Sequence, residues 1–284
     1  MISKAYYSLG DRSIRLRKIF SAFFAVASLS GCSLSFGLPI QSAARPLGLD
    51  TVGPVQKGGS DAASLLFMND HLRDYQVWVD RTLSEASPIN DSAYSLDPSK
   101  LVLRHDLENL RVYFIGEGAG YHNSLGVNLS GGGVGTGQPM LLFPDASSYR
   151  SGNRNARYPL QPGDFVDVGS VLSDAFINFF LIANGANGGS RVWSTDSRLN
   201  SDDINHVVSY SEQGSPYLLI GFEDLPGGGD RDFNDLVFVV DIGSENVQAM
   251  QRASVSDGSS TYVLTVLGLG FLFVAKKRMQ KHVV

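Results

Sequence analysis

The sequence predicts a mostly β protein: an antiparallel, jelly-roll-like β-sandwich with one amphipathic helix on its N-terminal side. The first ground is a series of short apolar runs, rich in β-branched and aromatic residues and separated by turn residues. They lie at 101–103, 112–115, 140–143, 165–168, 176–182 and 207–210, with two more at 217–220 and 236–240. The second is helical spacing ahead of them: Leu65, Met68, Leu72, Tyr75, Val79 and Leu83 recur every three or four residues, with Asp61 as a cap and Pro88 beyond the end. The third is size, since 284 residues with 43% hydrophobic content can bury a substantial core.

Residues 1–31 read as a secretory signal, with a basic stretch through Lys18 leading into the apolar run 19–29. The lone cysteine, Cys32, ends Leu29-Ser30-Gly31-Cys32, which resembles the bacterial lipobox and implies lipidation. Cleavage after Gly37 or Ala44 would instead discard it. In either case no internal disulfide can form, so packing or bound metal must supply stability. Residues 32–60, rich in glycine, proline and small side chains, read as a linker. The helix is expected over 61–88 as a core-packing element; a membrane-surface or partner helix is the alternative, which a polar face mixing acidic and basic residues without a basic excess disfavours. The β-domain then spans 97–243, followed by a second linker at 244–258. Within the domain, Gly116-Glu117-Gly118-Ala119-Gly120 is not a dinucleotide fingerprint: Tyr121 stands at the last glycine position and no helical pattern follows.

Charge is unevenly distributed. The net charge is −5, yet nine basic residues and one acidic residue lie in the terminal segments, leaving 14 basic against 27 acidic residues in the body. Such a body repels nucleic acid and attracts cations. The acidity concentrates in residues 221–241, where Glu223, Asp224, Asp230, Asp232, Asp235 and Asp241 are opposed only by Arg231. Apolar runs on both sides imply strand, loop, strand, and Leu225-Pro226-Gly227-Gly228-Gly229 lets the loop fold back tightly. Carboxylates about 6 Å apart repel by about 3 kcal/mol at an effective dielectric of about 20. Either several are protonated or a hard divalent cation sits among them, and oxygen donors alone favour calcium over zinc or copper. A solvated acidic turn is the simpler alternative. An EF-hand is not, because Asp230, Asp232, Asn234 and Asp241 fit its first, third, fifth and twelfth positions but Asp235 replaces its required glycine.

Five ordered segments carry a family resemblance: VYFIGEGAGYHNSLG at 112–126, PGDFVDVG at 162–169, FFLIANGANGG at 179–189, VWSTD at 192–196 and GFEDLPGGGDRDFNDLVF at 221–238. Together they resemble the bacterial domain of unknown function 4114 over roughly residues 100–243. The resemblance implies an exported β-domain of cell-surface or adhesin-like proteins, with a calcium motif at Glu223, Asp224, Asp230, Asp232, Asn234 and Asp235. It implies no reaction. Glu117, Asn123, Asn184, Asn187 and Asp196 lie in the matching upstream segments and are candidate additional ligands or turn formers.

Residues 259–284 resemble a PEP-CTERM sorting tail read by an exosortase-like processing enzyme. Val255-Ser256-Asp257 is closest to the variant that begins Val-Pro-Asp, with Ser256 in the proline position. The apolar run 262–275 would span about 21 Å as a helix, short of a roughly 30 Å hydrocarbon core, so a transient anchor is expected, with Lys276, Lys277 and Arg278 on the cytoplasmic side. These readings lead to an exported protein of a Gram-negative envelope or extracellular matrix, structural or adhesive, which binds calcium and touches membrane only through its termini. Extracellular polysaccharide or surface matrix is a candidate partner. The rival classes are a carbohydrate-binding module and a glycoside hydrolase using paired carboxylates such as Glu223 and Asp230. No nucleophile-elbow motif accompanies the histidines.

Overall fold

The computed structural model describes residues 40–84, 96–131, 137–149 and 154–254. The signal-like segment, Cys32 and the C-terminal tail lie outside them. Among the described residues nine strands form two antiparallel sheets packed as a sandwich. Strands β1 (Leu107–Gly116), β4 (Phe165–Val171), β7 (Val207–Tyr210), β8 (Tyr217–Phe222) and β9 (Leu236–Asp241) make one sheet in the order β4-β1-β9-β8-β7. Strands β2 (Ser124–Gly131), β3 (Met140–Phe143), β5 (Ala175–Ala183) and β6 (Arg191–Ser194) make the other, ordered β3-β2-β5-β6. The first and last strands are neighbours, and β7, β8 and β9 run as a meander.

The central strands are buried on both faces, which is why they read as continuous apolar runs rather than alternating ones. From β1, Val112 and Phe114 point into the inter-sheet core with Phe143, Phe179, Trp193, Phe222 and Phe238. Tyr113 and Ile115 point the other way, into a second core beneath the helices. Two strands escaped the sequence pattern. In β2 the apolar residues are interrupted by Gly126, Asn128 and Ser130, and Gly126 is needed because a Cβ there would fall 2.2 Å from the Phe180 ring. The other, β6, is four residues long and begins with Arg191. Conversely, 101–103 forms only an isolated bridge, Val102 to Phe176, although Leu101 and Leu103 are buried.

The single helix expected over 61–88 is two helices, α1 (Ala62–Asp70) and α2 (Leu72–Thr82), broken at His71. Asp61 caps α1 in a reciprocal box with Ser64. The break lets Phe67 of α1 and Leu72 and Tyr75 of α2 reach one sheet face, where Phe67 stacks on Tyr113 at 3.9 Å. Leu65, placed on the buried face by the periodicity, is therefore exposed.

Parts of both stretches read as linkers belong to the fold. Val52 donates its backbone N–H to Leu141 O on β3, and Gln56 exchanges two backbone hydrogen bonds with Phe165 on β4. This segment covers an edge of each sheet, groups that would otherwise be open to pairing with other chains. Residues 244–254 form a third helix, α3, whose Val247 and Met250 join the inter-sheet core.

The helices are tied to the sheet by charge as well as by packing. Arg111 on β1 is 8% exposed, meets Asp167 at 2.6 Å and Asp61 at 2.8 Å, and lies over the Phe165 ring at 4.0 Å. Hydrogen bonds from Arg111 hold the Asp61 carboxyl well below its usual range, against the opposing effect of desolvation. Replacing Arg111 with methionine leaves two facing carboxylates without their cation. It is expected to destabilise the domain by about 3 kcal/mol, read as a lowered urea midpoint. Asp61→Asn should cost less, about 1 kcal/mol, because that carboxylate is partly in water. Since the Asp61 pKa is depressed in the fold, its contribution is present at neutral pH and disappears as pH falls below about 4.

Candidate metal centre

The acidic turn leaves β8 at Phe222 and returns as β9 at Leu236. Its tip is solvated but its two ends are buried. Glu223, Asp224 and Asp232 are each 3% exposed or less, while Asp230 faces water. A tight backbone makes this possible: Gly227, Gly228, Gly229, Arg231 and Phe233 all have positive φ. Gly229 is sterically required, since a Cβ there would lie 1.8 Å from Glu223 Oε1.

The six residues read from the sequence divide into groups. Glu223, Asp230 and Asp232 each offer a carboxylate oxygen, and these oxygens lie within 4.8 Å of one another. Oxygens on opposite sides of one cation at about 2.4 Å are separated by that same distance. Glu223 Oε2 is buried and meets no N–H or O–H donor among the described residues, and the Glu223 carboxyl also lies within hydrogen-bonding reach of the Asp235 carboxyl. Asp224 and Asp235 form a neighbouring pair: Asp224 N–H donates to Asp235 Oδ2 at 2.8 Å, and Asn123 Nδ2 donates to Asp224 Oδ2 at 2.7 Å. Asn234 positions rather than faces the trio. Its Nδ2 donates to Asp232 Oδ2 at 2.8 Å and to Leu83 O at 3.2 Å. Its Oδ1 occupies the space a Cβ on Gly118 would need, and this accounts for a glycine of the Gly-rich stretch at 116–120.

Burial sets the titration of this corner. Desolvation, opposed by a side-chain hydrogen bond with Asp235 and reinforced by the charges of Asp230 and Asp232, raises Glu223 to about 7. Desolvation and the Asp224 charge raise Asp235 to about 8. Asp224 is also raised, by desolvation.

Of the upstream candidates, Asn123 touches the acidic turn, through Asp224; its Oδ1 accepts from the Asn184 N–H at 2.9 Å. Asn184 Oδ1 in turn accepts from His122 N–H and from Asn187 Nδ2. Glu117 accepts from Ser148 N–H, and Asp196 caps a short helical turn and pairs with Arg198 at 2.7 Å. Sequence reasoning missed the residues that hold the turn from below. Trp193 Nε1 donates to Asp224 O at 2.7 Å and stacks on His206 at 3.8 Å. His206 is fully buried, with Nδ1 3.2 Å from Glu223 O and Nε2 3.0 Å from Asp202, whose carboxylate also accepts from Gly227 N–H. The one sequence signal was VWSTD at 192–196, which contains Trp193.

Residues 161–243 match the family model described as Domain of unknown function (DUF4114). The matched stretch runs through β4 to β9 and includes the whole acidic turn. No curated protein and no solved structure matches the chain.

The raised carboxyls predict a pH dependence for the metal-free protein. Glu223 and Asp235 hold protons in the fold that the unfolded chain releases near pH 4, so their stabilising contribution is lost as pH rises through about 7 and about 8. In the presence of a chelator the melting temperature should fall between about pH 5 and about pH 8, and Glu223→Gln should flatten that slope. A melting temperature that climbs across this range in chelator would contradict a protonated corner.

Proposed function

We propose that this is an exported protein of the cell envelope or extracellular matrix, structural or adhesive in role, whose β-sandwich is stabilised by calcium at Glu223, Asp230 and Asp232. The observation that carries the ion is the convergence of oxygens from Glu223, Asp230 and Asp232 within 4.8 Å of one another, beside a buried Glu223 Oε2 that no N–H or O–H donor of the described residues meets. A buried charge in this position is costly unless paired or bound to metal. The donors are all oxygen, which suits a hard cation. A bound calcium ion supplies two positive charges against the three carboxylates and replaces the protons that burial otherwise imposes. Calcium takes six to eight oxygens, so backbone or water oxygens must join the side chains. Asp224, Asn234 and Asp235 act in this reading by holding the turn.

The converging spacing also favours an ion over a hydrolytic pair. A glycosidase needs two carboxyls set across a sugar, whereas here three carboxylates offer oxygens toward one point. Export rests on the signal-like N-terminus and the sorting-type tail. Among the described residues no helix is long and apolar enough to cross a membrane.

Because the ion would bind the folded state, calcium at one hundred times its Kd should stabilise by about 2.7 kcal/mol. The melting temperature should rise by about 5–10 °C, and chelation should reverse the rise. Asp232→Ala should remove most of the calcium response, while Glu108→Ala, an exposed position on β1, should leave it intact. Equal melting with calcium and with chelator would return the turn to a purely protein-held corner. Export is tested separately. Mass spectrometry of the surface-exposed protein from its host should find residues 262–284 removed, and an intact C-terminus there would contradict the sorting reading.

A further inference from the structure

A second site lies on the outer face of the five-stranded sheet, where residues of α2, β8, α3 and the turn after β7 line a cleft of about 410 Å3. This is within the size range of small-molecule sites, about 300–1,000 Å3. Its aromatic lining is Tyr75 and Trp78 from α2 and Tyr210 from the end of β7. Trp78 is only half-buried, and its ring meets Tyr210 at 4.4 Å with a 59° tilt, forming a corner of two aromatic planes. Packing alone does not call for the polar side of the cleft, which carries Glu212, Gln213 and Gln251. Gln251 is held in place there, its Nε2 donating to Ser211 Oγ at 2.9 Å and Glu212 O at 3.3 Å. Tyr75 is likewise fixed, its hydroxyl 3.3 Å from Ser215 Oγ.

The chemistry of this lining selects among ligands. Among the described residues no lining side chain is cationic, and Glu212 adds a negative charge, so an acidic ligand is disfavoured. An organic cation is best enclosed when aromatic faces stand on opposite sides of the charge. Trp78 and Tyr210 instead touch each other and present one corner. A flat apolar surface beside a carboxylate and carboxamides matches a ring with one C–H face and a hydroxyl-bearing edge. We propose that this cleft binds a neutral saccharide, its apolar face against Trp78 and its hydroxyls on Glu212, Gln213 and Gln251. The adhesive reading supplies only the source of the sugar, a surface or matrix polysaccharide; the cleft contains none of the acidic-turn residues.

The test is calorimetric titration of the full chain with neutral glucose-, galactose- and mannose-based oligosaccharides, a uronic-acid oligosaccharide and tetramethylammonium. Each is run with calcium and with chelator at a temperature where both forms are folded. At least one neutral oligosaccharide should bind in both conditions. Trp78→Ala should weaken it about tenfold or more, and Glu212→Gln or Gln213→Ala by several-fold. Should Trp78→Ala melt without cooperativity, the latter two carry the comparison. Binding of only the acidic sugar or only tetramethylammonium, no binding at all, or variants that bind like the parent would overturn the inference. Sugar binding without any calcium stabilisation would remove the ion reading alone, and calcium stabilisation without sugar binding would remove this one alone.

Discussion

Burial of the Glu223 carboxylate is the constraint to which the loop end of the sandwich is fitted. Glu223 directly follows a strand enclosed on both faces, so its side chain emerges inside the protein rather than above it. Holding a carboxylate there requires a backbone that closes over it without a side chain at Gly229, and left-handed conformations at Arg231 and Phe233 that swing Asp230 and Asp232 back toward it. Trp193 and His206 then take the carbonyls of Asp224 and Glu223, and Asn123 reaches across from the β1–β2 connection to Asp224. Loops from both sheets are thereby committed to a few acidic residues. An ion at this corner, as proposed, would take up a buried carboxylate oxygen, Glu223 Oε2, that no donor among the described residues meets.

The opposite face of the same sheet meets a different requirement. A sandwich sheet with apolar residues on both sides must be covered twice, and α1 and α2 provide the second cover. The bend at His71 brings two short helices onto a twisted sheet that one straight helix would touch along a narrower line. Arg111 fixes their approach by pairing with the cap of α1 and with β4. Trp78 lies at the margin of this contact, half in the apolar layer and half in the cleft beside Gln251.

The clasp formed by residues 50–56 serves both sheets at once. It adds backbone hydrogen bonds to the free sides of β3 and β4 and places Val55 in the inter-sheet core. Nothing in a run of glycine, proline and small residues announces such a role, because edge pairing uses backbone groups that every residue possesses.

What the sequence determined by itself was local. Apolar runs at 140–143 and 207–210 coincide with β3 and β7 to the residue, because a buried strand and its burial pattern are the same information. The acidic residues of 221–241 were legible as a site since charge density next to apolar runs needs no coordinates to be noticed. Only the tertiary structure decided how they divide. Whether Asp224 joins Glu223 or Asp235 depends on turn dihedrals, and whether Asn234 faces an ion or Leu83 depends on a helix some 150 residues earlier in the chain. The same holds for His206, Trp193 and Asp202: ordinary residues in sequence, they become supports of the turn because strands from both sheets end beside it. Long-range proximity set these roles, and composition and periodicity are blind to proximity.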